Sequence, residues 1–143
     1  MSPRPRTPGR AHAGQALTEF GLAIPVFALV LAGVFDLGRA VYMYNGVTSA
    51  AQDIARVTAT NVGSPIGAST ATAERIAAQR GLVPGMDDPV FACTDLYGAP
   101  VTADGCRSGQ YLEVTVSAAF QPVSTLGIVP PIPLRATSSV QIP

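Results

Sequence analysis

The chain has 143 residues, room for one small domain and one membrane segment. Its nine basic residues, all arginine, balance nine acids overall. Three of the arginines (Arg4, Arg6 and Arg10) precede residue 15 and no acid does, so residues 15–143 carry a formal charge of −3; this excludes a nucleic-acid-binding surface, which needs a basic face.

The basic leader meets a small residue in Gly14-Gln15-Ala16-Leu17-Thr18-Glu19-Phe20, and sixteen uncharged residues follow from Phe20 to Phe35. That run would rise about 24 Å as a helix, slightly short of a hydrocarbon core of about 30 Å. Counting back to Ala16 gives twenty residues and places Thr18 and Glu19 in one interface. The arginines mark the leader side as cytoplasmic, and Tyr42 and Tyr44 fall near the outer headgroups. A plain single-pass anchor satisfies these facts. A secretory signal is cut after its apolar core, yet Ala11-His12-Ala13 lies before it, and Asp36 and Arg39 intrude on the small residues that follow it. A cut between Gly14 and Gln15 would instead leave the apolar helix at the start of the mature protein.

The helical pattern continues past the membrane. Asp36 and Arg39 form an i, i+3 pair able to satisfy each other. Val47, Ala50, Ala51, Ile54, Ala55, Thr58 and Val62 then recur at three- and four-residue spacing. The organisation read from this is a leader over 1–14, one long helix over 15–62 that spans the membrane at about 16–38, and a head over 63–143. Gly63-Ser64-Pro65 ends the helix. A second helix is expected from Thr70 to Arg80, capped by Ser69 and stopped by Gly81, and Pro84 to Asp88 reads as loop. Tyr111 to Ser117 alternates as a strand, as does Pro133 to Ile142. The proline-rich Gly127 to Pro133 reads as an extended connection. The fold class is α+β: a long transmembrane helix continuing into a small extracytoplasmic head with a short helix and antiparallel strands.

Catalytic chemistry is poorly represented. The single histidine, His12, lies in the leader, no lysine exists, and no hydrolase, zincin or P-loop motif occurs. The chain is expected not to be an enzyme and to need no cofactor or metal. Asp87-Asp88 reads as a solvated turn rather than an acid/base pair. Cys93 and Cys106 cannot complete a zinc site without histidine, and outside the membrane a disulfide is their natural state. Asp87, Asp88, Asp95 and Asp104 leave a calcium site conceivable, but their spacing matches no known loop, and an acidic exposed turn is the plainer reading.

Glu19 has two readings. In one it is a first-turn acid favouring the positive helix end. In the other it is a carboxylate at the edge of lipid, expensive enough to need a partner. After a cut at Gly14, the amino group of Gln15 on a neighbouring copy could be that partner. The coincidence of glycine, spacing and apolar run favours the second reading.

The stretch Gly14 to Phe20, with Ile24-Pro25-Val26, Asp36-Leu37-Gly38-Arg39-Ala40, Tyr44-Asn45 and Ala50-Ala51 to Ala55-Arg56, resembles the TadE-like family. These are pseudopilins of the tight-adherence (Tad/Flp) type IVb pilus system. The Val114-Thr115-Val116 strand, the proline-rich loop and the Leu134–Val140 strand are similar to it more weakly. The resemblance implies a prepilin peptidase acting at Gly14 with Glu19 as recognition residue. It further implies assembly with the major pilin and other pseudopilins on an inner-membrane platform driven by a separate ATPase. It places the chain in the bacterial cytoplasmic membrane as a minor, non-enzymatic component. A permanently anchored extracytoplasmic binding domain is the alternative.

Overall fold

The computed structural model describes residues 10–101, 106–125 and 127–143. Arg4, Arg6 and Asp104, singled out above, lie outside them. The first element is a single helix, α1 (Arg10–Thr60), which at 1.5 Å per residue is about 75 Å long. It starts upstream of Gly14, so the glycine–glutamine bond lies within helical backbone. Leu17, Phe20, Leu22, Ile24, Phe27, Leu31 and Phe35 are all exposed, and this part of α1 is long and apolar enough to cross a membrane. Pro25 sits inside it. Its missing N–H costs one ladder bond, a defect that membrane helices tolerate.

Farther along, α1 becomes the spine of the globular head. Val47, Ala50, Ala51, Ile54, Ala55 and Thr58 are at most 1 % exposed, so the small-residue stripe packs within this chain. The helix stops at Thr60, within two residues of the bound read from sequence, and Val62 is exposed. The cause is local. The Asn61 amide makes the last ladder bond, to the Val57 carbonyl at 3.1 Å, shared with the Thr58 carbonyl at 3.2 Å, and Gly63 and Pro65 then break the helical run.

Helix α2 (Thr70–Leu82) begins as its sequence suggests, with the Ser69 hydroxyl accepting from the Thr72 amide. It ends two residues later than expected. Gly81 remains helical, Val83 is the extended cap, and the positive φ falls at Gly85. Two hydrogen bonds tie α2 to α1: Thr58 and Thr72 share a buried hydroxyl bond of 3.1 Å, and Gln79 Nε2 donates to the half-buried Asp53 at 2.9 Å.

Four antiparallel strands complete the head: β1 (Val90–Thr94), β2 (Pro100–Val101), β3 (Tyr111–Phe120) and β4 (Ile132–Gln141), in the order β2-β1-β3-β4. Leu112, Val114, Val116, Ala118 and Phe120 of β3 are buried on one face, which meets the stripe of α1. Proline is tolerated at Pro133 because β4 is an edge strand. Between the helices and the sheet, Gly67 holds φ +84°, and a Cβ there would come within 2.7 Å of Phe91 Cε2. Gly67→Ala is therefore expected to lower head stability by roughly 1–3 kcal/mol, read as a fall in the urea midpoint.

The Pro84 to Asp88 segment is more structured than a loop reading implied. Met86 bridges Ala118, and the Asp87 amide donates to the Ser117 carbonyl at 2.9 Å. A disulfide joins Cys93 of β1 to Cys106, both within the core cluster. Their Cα atoms are 5.5 Å apart, a normal span for such a bridge.

Candidate functional site

Two places on α1 bear on function: its amino-terminal end, and the point where it enters the head. At the first, Gly14, Gln15 and Glu19 are all exposed. A Cβ on Gly14 would meet nothing within 4 Å, so no packing in this fold requires glycine there. Gln15 Nε2 donates to Glu19 Oε1 at 3.2 Å across one turn, and Thr18 Oγ1 donates to the Gln15 carbonyl at 2.8 Å. The structure therefore brings Gln15 and Glu19 together on one helix face, with the Gly14–Gln15 bond one turn from the carboxylate.

The second place was not apparent from local sequence. Asp36 is 6 % exposed, the first buried side chain after a long exposed run. Its Oδ1 accepts from the Val123 amide at 3.0 Å, and its Oδ2 accepts from the Ser124 amide at 2.6 Å. The expected bond from Arg39 is present but longer, at 3.3 Å. The main partners of Asp36 are thus backbone donors of the β3–β4 loop, bound in the bidentate manner that suits a carboxylate. Arg39 is placed over the Phe120 ring, 5.6 Å from its centroid, a cation–π distance. The acid, the arginine and the aromatic together clamp the end of β3 to the helix just past the apolar run. The one sequence signal for this clamp was isolation: Asp36 is the only acid between Glu19 and Asp53.

Asp36→Ala removes the acceptor of two backbone donors. It is expected to speed hydrogen exchange at the Val123 and Ser124 amides while leaving β3–β4 amides such as Val116 protected. Unchanged exchange at those two amides would show that the carboxylate is not what holds the loop.

Beside the clamp, an open groove of about 1070 Å³ runs between α1, the end of α2 and the end of β3. Val34, Gly38, Tyr42, Leu82, Pro84 and Ala119 line much of it. Its walls are mainly apolar, and its shape suits a packed side chain or helix more than a reaction requiring polar groups.

Asp87, Asp88 and Asp95 are occupied locally. Asp87 accepts from the Ser117 hydroxyl at 2.8 Å, whereas Asp88 pairs with Arg80, so the two neighbours point to different partners. Asp95 Oδ1 accepts from the Tyr97 and Ala99 amides, both at 2.8 Å, which closes its own turn. Among the described residues there is no cluster of three His, Cys, Asp or Glu that could hold a metal.

No curated protein and no solved structure matches the chain. Its amino-terminal part does match a known family. Over residues 14–56, less than a third of its length, from the glycine ahead of Glu19 to the stripe packed on the sheet, the chain is similar to the family described as TadE-like protein, consistent with a TadE-like component of the Tad pilus system.

Proposed function

We propose that the chain is a minor, non-enzymatic pseudopilin of a tight-adherence type IVb pilus, processed by a prepilin peptidase between Gly14 and Gln15. The observation that carries this is the family match beginning at Gly14, at the head of a helix in which residues 15–35 contain no side chain buried in the head. In this reading the cytoplasm holds residues 1–14, α1 crosses the cytoplasmic membrane at about 16–38, and the head lies outside. The disulfide supports that side for the head, since such bonds persist in oxidising compartments.

The proposed partners follow from the parts. A prepilin peptidase acts at the leader junction. The apolar half of α1, exposed among the described residues, packs among lipid and the helices of the major pilin and other pseudopilins. The inner-membrane pilus platform receives the assembly. Glu19 acts after processing, as the partner of an amino terminus on an adjacent subunit.

The deciding experiment is amino-terminal sequencing of protein extracted from the membrane of cells that contain the peptidase. The expected start is Gln-Ala-Leu-Thr-Glu, allowing for cyclisation of the glutamine, with the apolar helix retained. A start at Ser2, or one beyond Ala40, overturns the processing reading. A retained leader with the helix still in the membrane would favour a permanently anchored binding domain.

A further inference from the structure

We propose that the β3–β4 connection is a second membrane contact: Val123 and the Ile128 to Ile132 segment sit in the outer interface of the bilayer that α1 crosses, so that the head rests on the lipid surface. The proposal builds on the single-pass reading above and adds a site that the helix alone does not require.

Height is the first argument. Asp36 immediately follows the last residue of the uncharged Phe20–Phe35 run, and its carboxylate is bonded to the Val123 and Ser124 amides. The loop is thereby held level with the place where the span leaves lipid. The tip of the β1–β2 hairpin lies toward the opposite end of the sheet. Thr94 pairs with Tyr111, nine positions along β3 from Phe120, which is about 30 Å of strand.

Composition is the second. No charged residue occurs between Glu113 and Arg135. Val123, Ile128, Val129 and Ile132 are 59 %, 85 %, 38 % and 46 % exposed. Phe35 and Leu37, exposed on α1, flank Asp36, to which the Val123 amide is bonded. That tether commits the loop to lipid, because a bilayer that reaches Phe35 and Leu37 lies beside the loop held between them.

Backbone chemistry is the third. A loop entering an interface must not carry bare N–H groups, which are costly away from water. Pro130, Pro131 and Pro133 have no N–H to desolvate. The Ile128 amide donates to the Thr125 carbonyl at 2.9 Å, and Gln121 Nε2 satisfies the Val129 carbonyl at 3.1 Å. The turn therefore presents apolar side chains outward with several of its polar groups already occupied.

The test uses the full chain in phosphatidylethanolamine/phosphatidylglycerol vesicles. Val30→Cys, Ile128→Cys and Tyr97→Cys are each labelled with an environment-sensitive fluorophore under non-reducing conditions. Quenchers are nitroxides fixed at shallow and deep positions on the lipid chains, and aqueous iodide. The expected result is that Ile128 is quenched chiefly by the shallow nitroxide and Val30 chiefly by the deep one. Tyr97, 94 % exposed, should respond to iodide alone. If Ile128 behaves like Tyr97 while Val30 reports lipid, the loop contact is wrong and the span stands. Shielding of Ile128 from iodide without lipid quenching overturns the proposal in favour of a protein partner. A Val30 label that reports water refutes the span reading and the loop contact with it.

Discussion

Glu19→Ala is expected to be processed normally and to fail in pilus assembly. Presentation of the Gly14–Gln15 bond at the membrane surface is set by the apolar helix, which the substitution leaves intact. Among the described residues the carboxylate is hydrogen-bonded to Gln15 alone, so its loss removes little from the fold. Assembly poses a different physical problem. Between helices in lipid, apolar side chains gain nothing from one another over lipid tails, and small-residue packing and polar contacts decide association. A charged pair between Glu19 and the amino terminus of a neighbouring subunit also acts where the dielectric is low. A polar contact of that kind is worth roughly 0.6–2 kcal/mol, corresponding to a loss of roughly three- to thirtyfold in paired subunits. Glu19→Gln should be similarly defective, because it keeps the size and removes the charge. The measurement is pilus yield, together with crosslinking of this protein to the major pilin, in strains carrying each variant. Normal crosslinking and piliation with processed Glu19→Ala protein would return Glu19 to the role of a first-turn helical acid.

Loss of the disulfide is the largest stability effect expected in the head. The bond closes a loop of thirteen positions, worth about 3 kcal/mol in the chain-entropy account. Its place in the sheet explains why the constraint matters. Cys93 is 3 % exposed and Cys106 is 8 % exposed, and Cys93 stands between Val101 of the two-residue edge strand β2 and Leu112 of β3. So short an edge strand makes few ladder bonds of its own, and the covalent link holds the hairpin against the sheet. Cys93→Ala or Cys106→Ala should lower the urea midpoint of the head by an amount matching about 3 kcal/mol, with membrane insertion unchanged. Adding a reductant to the unsubstituted protein should give the same shift. Non-reducing peptide mapping after alkylation supplies the direct check: two freely labelled thiols in protein taken from the cell envelope would contradict the pairing.

Much of the architecture was legible because it depends on local composition. The uncharged run from Phe20 to Phe35 is a helix wherever backbone bonds must be satisfied internally. The alternation from Tyr111 to Ser117 shows one face buried, and β3 buries Leu112, Val114 and Val116. Ser69 caps α2 through a bond three residues away, well within reach of sequence spacing. Helix ends were less legible, since Gly63 and Pro65 bar continuation without fixing the last turn, and α1 ends at Thr60. Gly81 was an equally ambiguous stop, because glycine permits a left-handed turn without imposing one.

The sequence by itself determined the order of basic leader, small residue, Glu19 and apolar helix, and it determined which face of each long element would be apolar. Those properties are set by neighbours within a few positions, and the hydrophobic effect reads them without regard to partners. Tertiary structure alone decided what each face meets. The small-residue stripe from Val47 to Thr58 suited any apolar surface, and the chain's own sheet covers it. Asp36 looked complete with Arg39 beside it, yet its main partners are 87 and 88 positions away. A carboxylate takes the best-aligned donors within reach. Free amides at the end of β3 come within reach only when the sheet is seated on α1, which is why the junction between span and head could not be read from the chain alone.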